Sequence, residues 1–160
     1  MYLSVLTAVH TAISLLGIGS GFVVLYGLMT SRSLESWTRF FLATTAVTSL
    51  TGFLFPVHAL LPSHVVGIIS IVDLTIASLA LYRFLLAGGW RRTYVITAVI
   101  ALYLNVFVLI AQLFQKVPSL KQLAPTQSEP PFQIAQLVVL VVFVALGFRA
   151  AIKFDGGHHG

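Results

Sequence analysis

Apolar runs of twenty or so residues alternate along the chain with short polar breaks, and this alternation predicts the architecture. A helix rising about 1.5 Å per residue needs about 20 apolar residues to cross a hydrocarbon core of about 30 Å. Five segments meet that requirement: 3–29, 40–57, 65–87, 93–115 and 132–148. The first ends at TSRSLESWTR, a polar turn carrying Arg32, Glu35 and Arg39, and the second stops at Pro56 in the stretch FPVHALLPSH. Gly88-Gly89 closes the third before Trp90-Arg91-Arg92. Between the fourth and fifth lies KVPSLKQLAPTQSEPPF, whose prolines predict an ordered but irregular loop. The reading is an all-α membrane protein, a single five-helix domain over residues 1–160.

Composition agrees with the pattern. With 58 % hydrophobic residues, 8 % charged residues and a mean hydropathy of +1.00, the chain does not describe a water-soluble domain. A mass of 17.3 kDa spent on spans leaves no room for a separate soluble unit. The first run is too long for a signal-peptide core and no basic residue precedes it, so it is expected to be retained as a span. Cysteine is absent, which excludes disulfides and thiolate metal sites.

The net charge of +5 resides in single and paired basic residues at the ends of apolar runs, a topology signal and not a nucleic-acid footprint. Arg32, Arg39, Arg83, Arg91, Arg92, Arg149 and Lys153 fall at one set of ends, and only Lys116 and Lys121 at the other. The positive-inside rule then predicts the N-terminus outside and the C-terminus in the cytoplasm. Arg83 and Arg149 stand about one turn inside their ends and snorkel, and Trp37 and Trp90 fit an aromatic belt on the same side. No internal repeat relates the five spans, which disfavours a transporter built from inverted halves.

The runs TGFLFPVHALLPSHVVGIISIV, ALYLNVFVLIAQLFQKVPSLK and LAPTQSEPPF, with the spacing between them, resemble a family of small uncharacterised bacterial inner-membrane proteins. The resemblance covers the chain from His10 to Phe148. It implies a bacterial origin and a multi-pass place in the inner membrane, and no activity.

Polar side chains inside a bilayer are costly, so their positions carry the functional reading. On the first helix Thr7, His10, Ser14, Gly17 and Gly21 form one stripe that must face protein, for close packing or for a flat ligand. Thr44, Thr48 and Thr51 form a second, read as helix–helix contact or bonding to the helix's own carbonyls. Asn105 and Gln112 share a face of the fourth helix, and Gln133 and Gln136 sit at the outer end of the fifth. Asp73 is the costly residue, on the order of 3 kcal/mol at the membrane centre unless paired, protonated or hydrated. It lies roughly 13 Å below the outer end of its helix, and His10 lies roughly 10 Å down the first. These matching depths predict a contact between them, direct or through water. A neutral Asp73 bonded to a hydroxyl or backbone carbonyl is the alternative.

His10, His58 and His64 all fall in the outer half, while the inner half is nearly apolar. This asymmetry predicts a polar pocket that opens outward and is closed from the cytoplasm. Neutral imidazole ligates haem iron and transition metals. His10, His58 and His64 are thus the candidate ligands of haem b or a transition-metal ion in a redox or accessory role, with Asp73, Asn105 and Gln112 orienting them or relaying protons. Two further classes compete: a proton-linked solute or ion transporter using Asp73 and His10, and a non-catalytic subunit of a larger membrane complex or homo-oligomer. No catalytic triad, phosphate loop or paired carboxylates mark the chain as an enzyme. Besides the lipid bilayer, other membrane subunits are the partners foreseen, and nucleic acid is not. His158 and His159, in the tail, are left out of the site.

Overall fold

Long apolar runs cannot leave their backbone polar groups unpaired in a bilayer, and the chain resolves this with helices throughout. The computed structural model describes residues 2–55 and 62–155; it is 84 % helical, with no strand among these residues. The elements are α1 (Tyr2–Met29), α2 (Glu35–Gly52), α3 (Pro62–Ser78), a π-helical segment (Leu79–Arg83), α4 (Trp90–Lys116), α5 (Pro118–Leu123) and α6 (Pro130–Lys153). Four stretches are long and apolar enough to cross a membrane: Tyr2–Met29, His64–Arg83, Trp90–Lys116 and Pro130–Lys153. The protein is therefore a multi-pass membrane protein.

The second expected span differs from the helix that forms. α2 begins at Glu35, not at 40, because the acidic first turn suits a helix N-terminus and Glu35 pairs with Arg39 at 3.5 Å one turn on. Its 18 residues extend about 27 Å. With Glu35, Ser36 and Arg39 included, it is not among the helices apolar enough to cross by composition. The third span also departs from expectation. Its helix slips into π geometry at Leu79–Arg83 and breaks at Phe84–Leu86, ahead of the Gly88-Gly89 pair. The expected irregular loop contains a helix, α5, started by Pro118 at its first position, where a missing N–H costs nothing.

α4 is the centre of the bundle, packed on α1, α3 and α6. Its Val95, Ala101 and Leu102 are all but inaccessible, as is Phe41 of α2. Small residues bring the helices together: Ala77 of α3, Ala80 of the π-helical segment, and Ala98 and Ala101 of α4 are buried. On α1 a Cβ at Gly21 would stand 2.5 Å from Leu102 and 2.8 Å from Phe41. The glycine stripe is thus a packing surface. α6 is peripheral, with 11 % of its most apolar stretch buried against 44 % for α1. Its outer face of Leu137, Val141, Val144 and Phe148 is left to lipid.

Candidate functional site

His10 and Ser14 of α1 reach hydroxyls of α2, whereas Thr7 and Ser20 bond carbonyls of their own helix. His10 is half-buried, its Nδ1 lies 2.8 Å from the Thr51 hydroxyl, and its ring meets Phe55 edge-on at 5.3 Å. Thr51 also donates to the Val47 carbonyl at 2.7 Å, and Thr44 to the Phe40 carbonyl at 2.8 Å, the local bonding foreseen for this stripe. The contact expected between His10 and Asp73 is direct or through water; among the described residues no direct hydrogen bond or ion pair joins the two. Depth was matched, but neighbours were not: α1 packs on α2, α4 and α6, whereas α3 packs on α2 and α4.

Asp73 sits midway along the His64–Arg83 stretch and is only 7 % exposed. Its buried Oδ2 has no hydrogen-bond partner among the described residues. Ser70, Ala77 and Ala80 share its helix face and are buried with it. That face is turned toward protein, where an orphan carboxylate oxygen is rare and calls for a reason.

His64 is buried, with its ring 5.6 Å from that of Phe53. His58 lies outside the described residues, as do Pro56 and the tail histidines. Among the described residues no three His, Asp or Glu side chains gather as a metal site. Asn105 donates to the hydroxyl of fully buried Thr45 at 3.1 Å, tying α4 to α2. Gln112 is half-buried on α4. Gln136 donates to the Phe107 carbonyl at 3.1 Å and holds α6 to α4, whereas Gln133 caps its own loop at the Ser128 carbonyl.

A cavity of about 540 Å³ lies at the opposite end of the bundle, where the arginines collect. α1, α2 and α4, the π segment and the chain just after α6 all contribute to its wall, so these ends share one side of the molecule. Val24, Leu28, Tyr94 and Phe154 form its buried floor. The Tyr94 and Thr38 hydroxyls are 3.4 Å apart on the wall. Arg91 Nη1 donates to the Asp155 carbonyl at 3.1 Å, and its buried Nε has no partner among the described residues.

The sequence reading treated Arg32 and Arg91 as topology markers and passed over Thr38 and Tyr94. One signal was available: Tyr94, Ala98, Ala101 and Asn105 recur at helical spacing as a small and polar face of α4. No protein-family model matches the chain, and no match is found among curated proteins or solved structures.

Proposed function

We propose that this chain is a proton-linked protein of the bacterial inner membrane whose working group is Asp73. In this reading α2 is a fifth crossing helix, the N-terminus faces outward, and the arginine-bearing end faces the cytoplasm. The observation that carries the reading is the buried Asp73 Oδ2 with no hydrogen-bond partner among the described residues. A carboxylate held at mid-span among packed helices must take a proton or meet a cation, and a residue kept only for packing would carry no such cost. Support for a route toward the arginine end comes from polar groups along α2 and α4: buried Thr45 with half-buried Asn105, then buried Thr97, then buried Thr38 with Tyr94. The haem and metal alternatives rely on imidazoles that converge. His10 is bonded to Thr51 and His64 lies on Phe53, so the carboxylate supports a function better than the histidines do.

Infrared spectroscopy of the chain in lipid vesicles tests the proposal. The carbonyl band of a buried neutral carboxylic acid gives way to carboxylate bands as pH rises, and Asp73→Asn lacks that band. Vesicles holding a pH-sensitive dye collapse an imposed proton gradient with the parent chain and not with Asp73→Asn. Asp73→Leu still inserts and is at least as heat-stable as the parent. Identical spectra and identical proton leak in parent and Asp73→Asn would refute the role, as would loss of folded protein in both variants.

A further inference from the structure

We infer that the cavity at the arginine-bearing end is a binding site for an anionic amphiphile, a phosphate ester joined to an apolar group. Asp73 is not on its wall, although Thr38 and Tyr94 at the end of the proposed proton route are; the arginine variants below leave Asp73 and both hydroxyls in place, so their outcome is separate from that of Asp73→Asn. Its volume of about 540 Å³ lies within the range of small-molecule sites, roughly 300–1,000 Å³.

The wall sorts into two halves. Apolar Val24, Leu28 and Phe154 make the depth, and Arg32 stands exposed toward the mouth. Four charged residues line the cavity, and both carboxylates have partners: Glu35 pairs with Arg39 at 3.5 Å, and Asp155 Oδ1 accepts the Ser31 hydroxyl. The guanidinium of Arg32 forms no hydrogen bond or ion pair among the described residues. Arg91 spends Nη1 on a backbone carbonyl and leaves Nε buried and unmatched. A buried charged donor without an acceptor costs more than its hydrogen bond would contribute, and the guanidinium fork matches the oxygens of a phosphate as the missing acceptor. Tyr94 and Thr38 supply hydroxyls on the same wall.

The backbone beside the cavity is strained as well. Leu85 and Leu86, both on the wall, hold φ of 48° and 60°, a left-handed conformation that is strained for a leucine. They follow directly on the π-helical turn, with the Phe84 ring stacked on Trp90 at 3.9 Å. Two consecutive leucines in that region open a space that a regular helical turn would fill. Basic pockets between membrane helices receive lipid headgroups by the same combination of arginines above and apolar surface below.

Native mass spectrometry of the full chain in neutral detergent, titrated with dioctanoyl phosphatidylglycerol, tests the site. One lipid is retained, and Arg91→Gln and Arg32→Gln each weaken binding by about tenfold. Arg92→Gln removes the same charge from an exposed residue that is off the wall, and changes binding by less than about twofold. Arg32 bonds to Gly27 through its backbone, which Arg32→Gln keeps, and its exposed side chain makes no bond among the described residues, so its variant carries the test should Arg91→Gln fail to fold. Inorganic phosphate that competes assigns the site to a soluble phosphate ester, whereas retention of the lipid against it assigns a lipid headgroup; both agree with the inference. Equal binding of uncharged dioctanoylglycerol, an equal loss in Arg92→Gln, or no binding of lipid or phosphate overturns it.

Discussion

Gly21 offers a quantitative check on the packing of the bundle. In Gly21→Ala the new Cβ would lie 2.5 Å from Leu102 Cδ1, 2.8 Å from Phe41 Cε2 and 3.0 Å from Phe41 Cδ2. Leu102 and Phe41 are each 1 % exposed, so neither methyl nor ring has space to yield into, and either α1 moves off α2 and α4 or two rotamers are strained. Overpacking of this kind costs about 1–3 kcal/mol. Against it, alanine is better than glycine inside a helix by about 0.5–1 kcal/mol. At mid-range the packing cost wins, and a net loss of about 1 kcal/mol follows. Gly19 supplies the matched control two residues away, since a Cβ there meets nothing within 4 Å. Gly19→Ala keeps the propensity gain and incurs no clash, so it equals or exceeds the parent. Reversible unfolding of the three proteins in mixed micelles orders them Gly19→Ala, parent, Gly21→Ala. A Gly21→Ala variant as stable as Gly19→Ala would show that α1 is not seated on Leu102 and Phe41, and the packing account of the glycine stripe would fail.

The Asn105–Thr45 bond should give a coupling of about 0.5–1.5 kcal/mol in a double-mutant cycle of Asn105→Leu and Thr45→Val, read by the same unfolding assay; additive losses would deny the contact. Glu129, just outside α6, is slightly desolvated, which raises its pKa, but hydrogen bonds from the Thr126 hydroxyl and the Thr126 and Ser128 amides outweigh this and hold it below the usual carboxylate value. A depressed folded value means that the order it confers on the 126–129 turn is complete above its unfolded pKa and lost as pH falls through the folded one. Amide exchange at Thr126 and Ser128 should therefore lose protection only on acidification, and Glu129→Gln should lack it at neutral pH; protection independent of pH in the parent would contradict the sign. A reporter enzyme active only in the periplasm, fused after Lys153, should stay inactive, and its activity would reverse the proposed orientation.

How much could be read from the sequence depended on whether a feature was local or relational. Apolar run length is local, and it fixed α1, α4 and α6 closely, although α6 runs on to Lys153 beyond the expected 148. α2 was less readable because its polar first turns fold as helix without adding hydropathy, and the π turn after Ser78 leaves no mark in an apolar pattern. The same division separates the site residues. Asp73 stood out because one carboxylate inside an apolar run is anomalous wherever its neighbours are, and its burial and missing partner agree with that cost. The pairing of Asp73 with His10 was relational. Equal depth on two helices brings side chains together only when the helices are adjacent and turned toward each other, and α2 supplied His10 with Thr51 instead. The arginines were harder to read for a further reason: a basic residue at a helix end satisfies the topology rule whether it points into water or lines a cavity. Only three-dimensional packing distinguishes the two cases, and in Arg91 it does so through a single atom, a buried Nε with no acceptor among the described residues, beside a cavity floored by Tyr94 and Phe154.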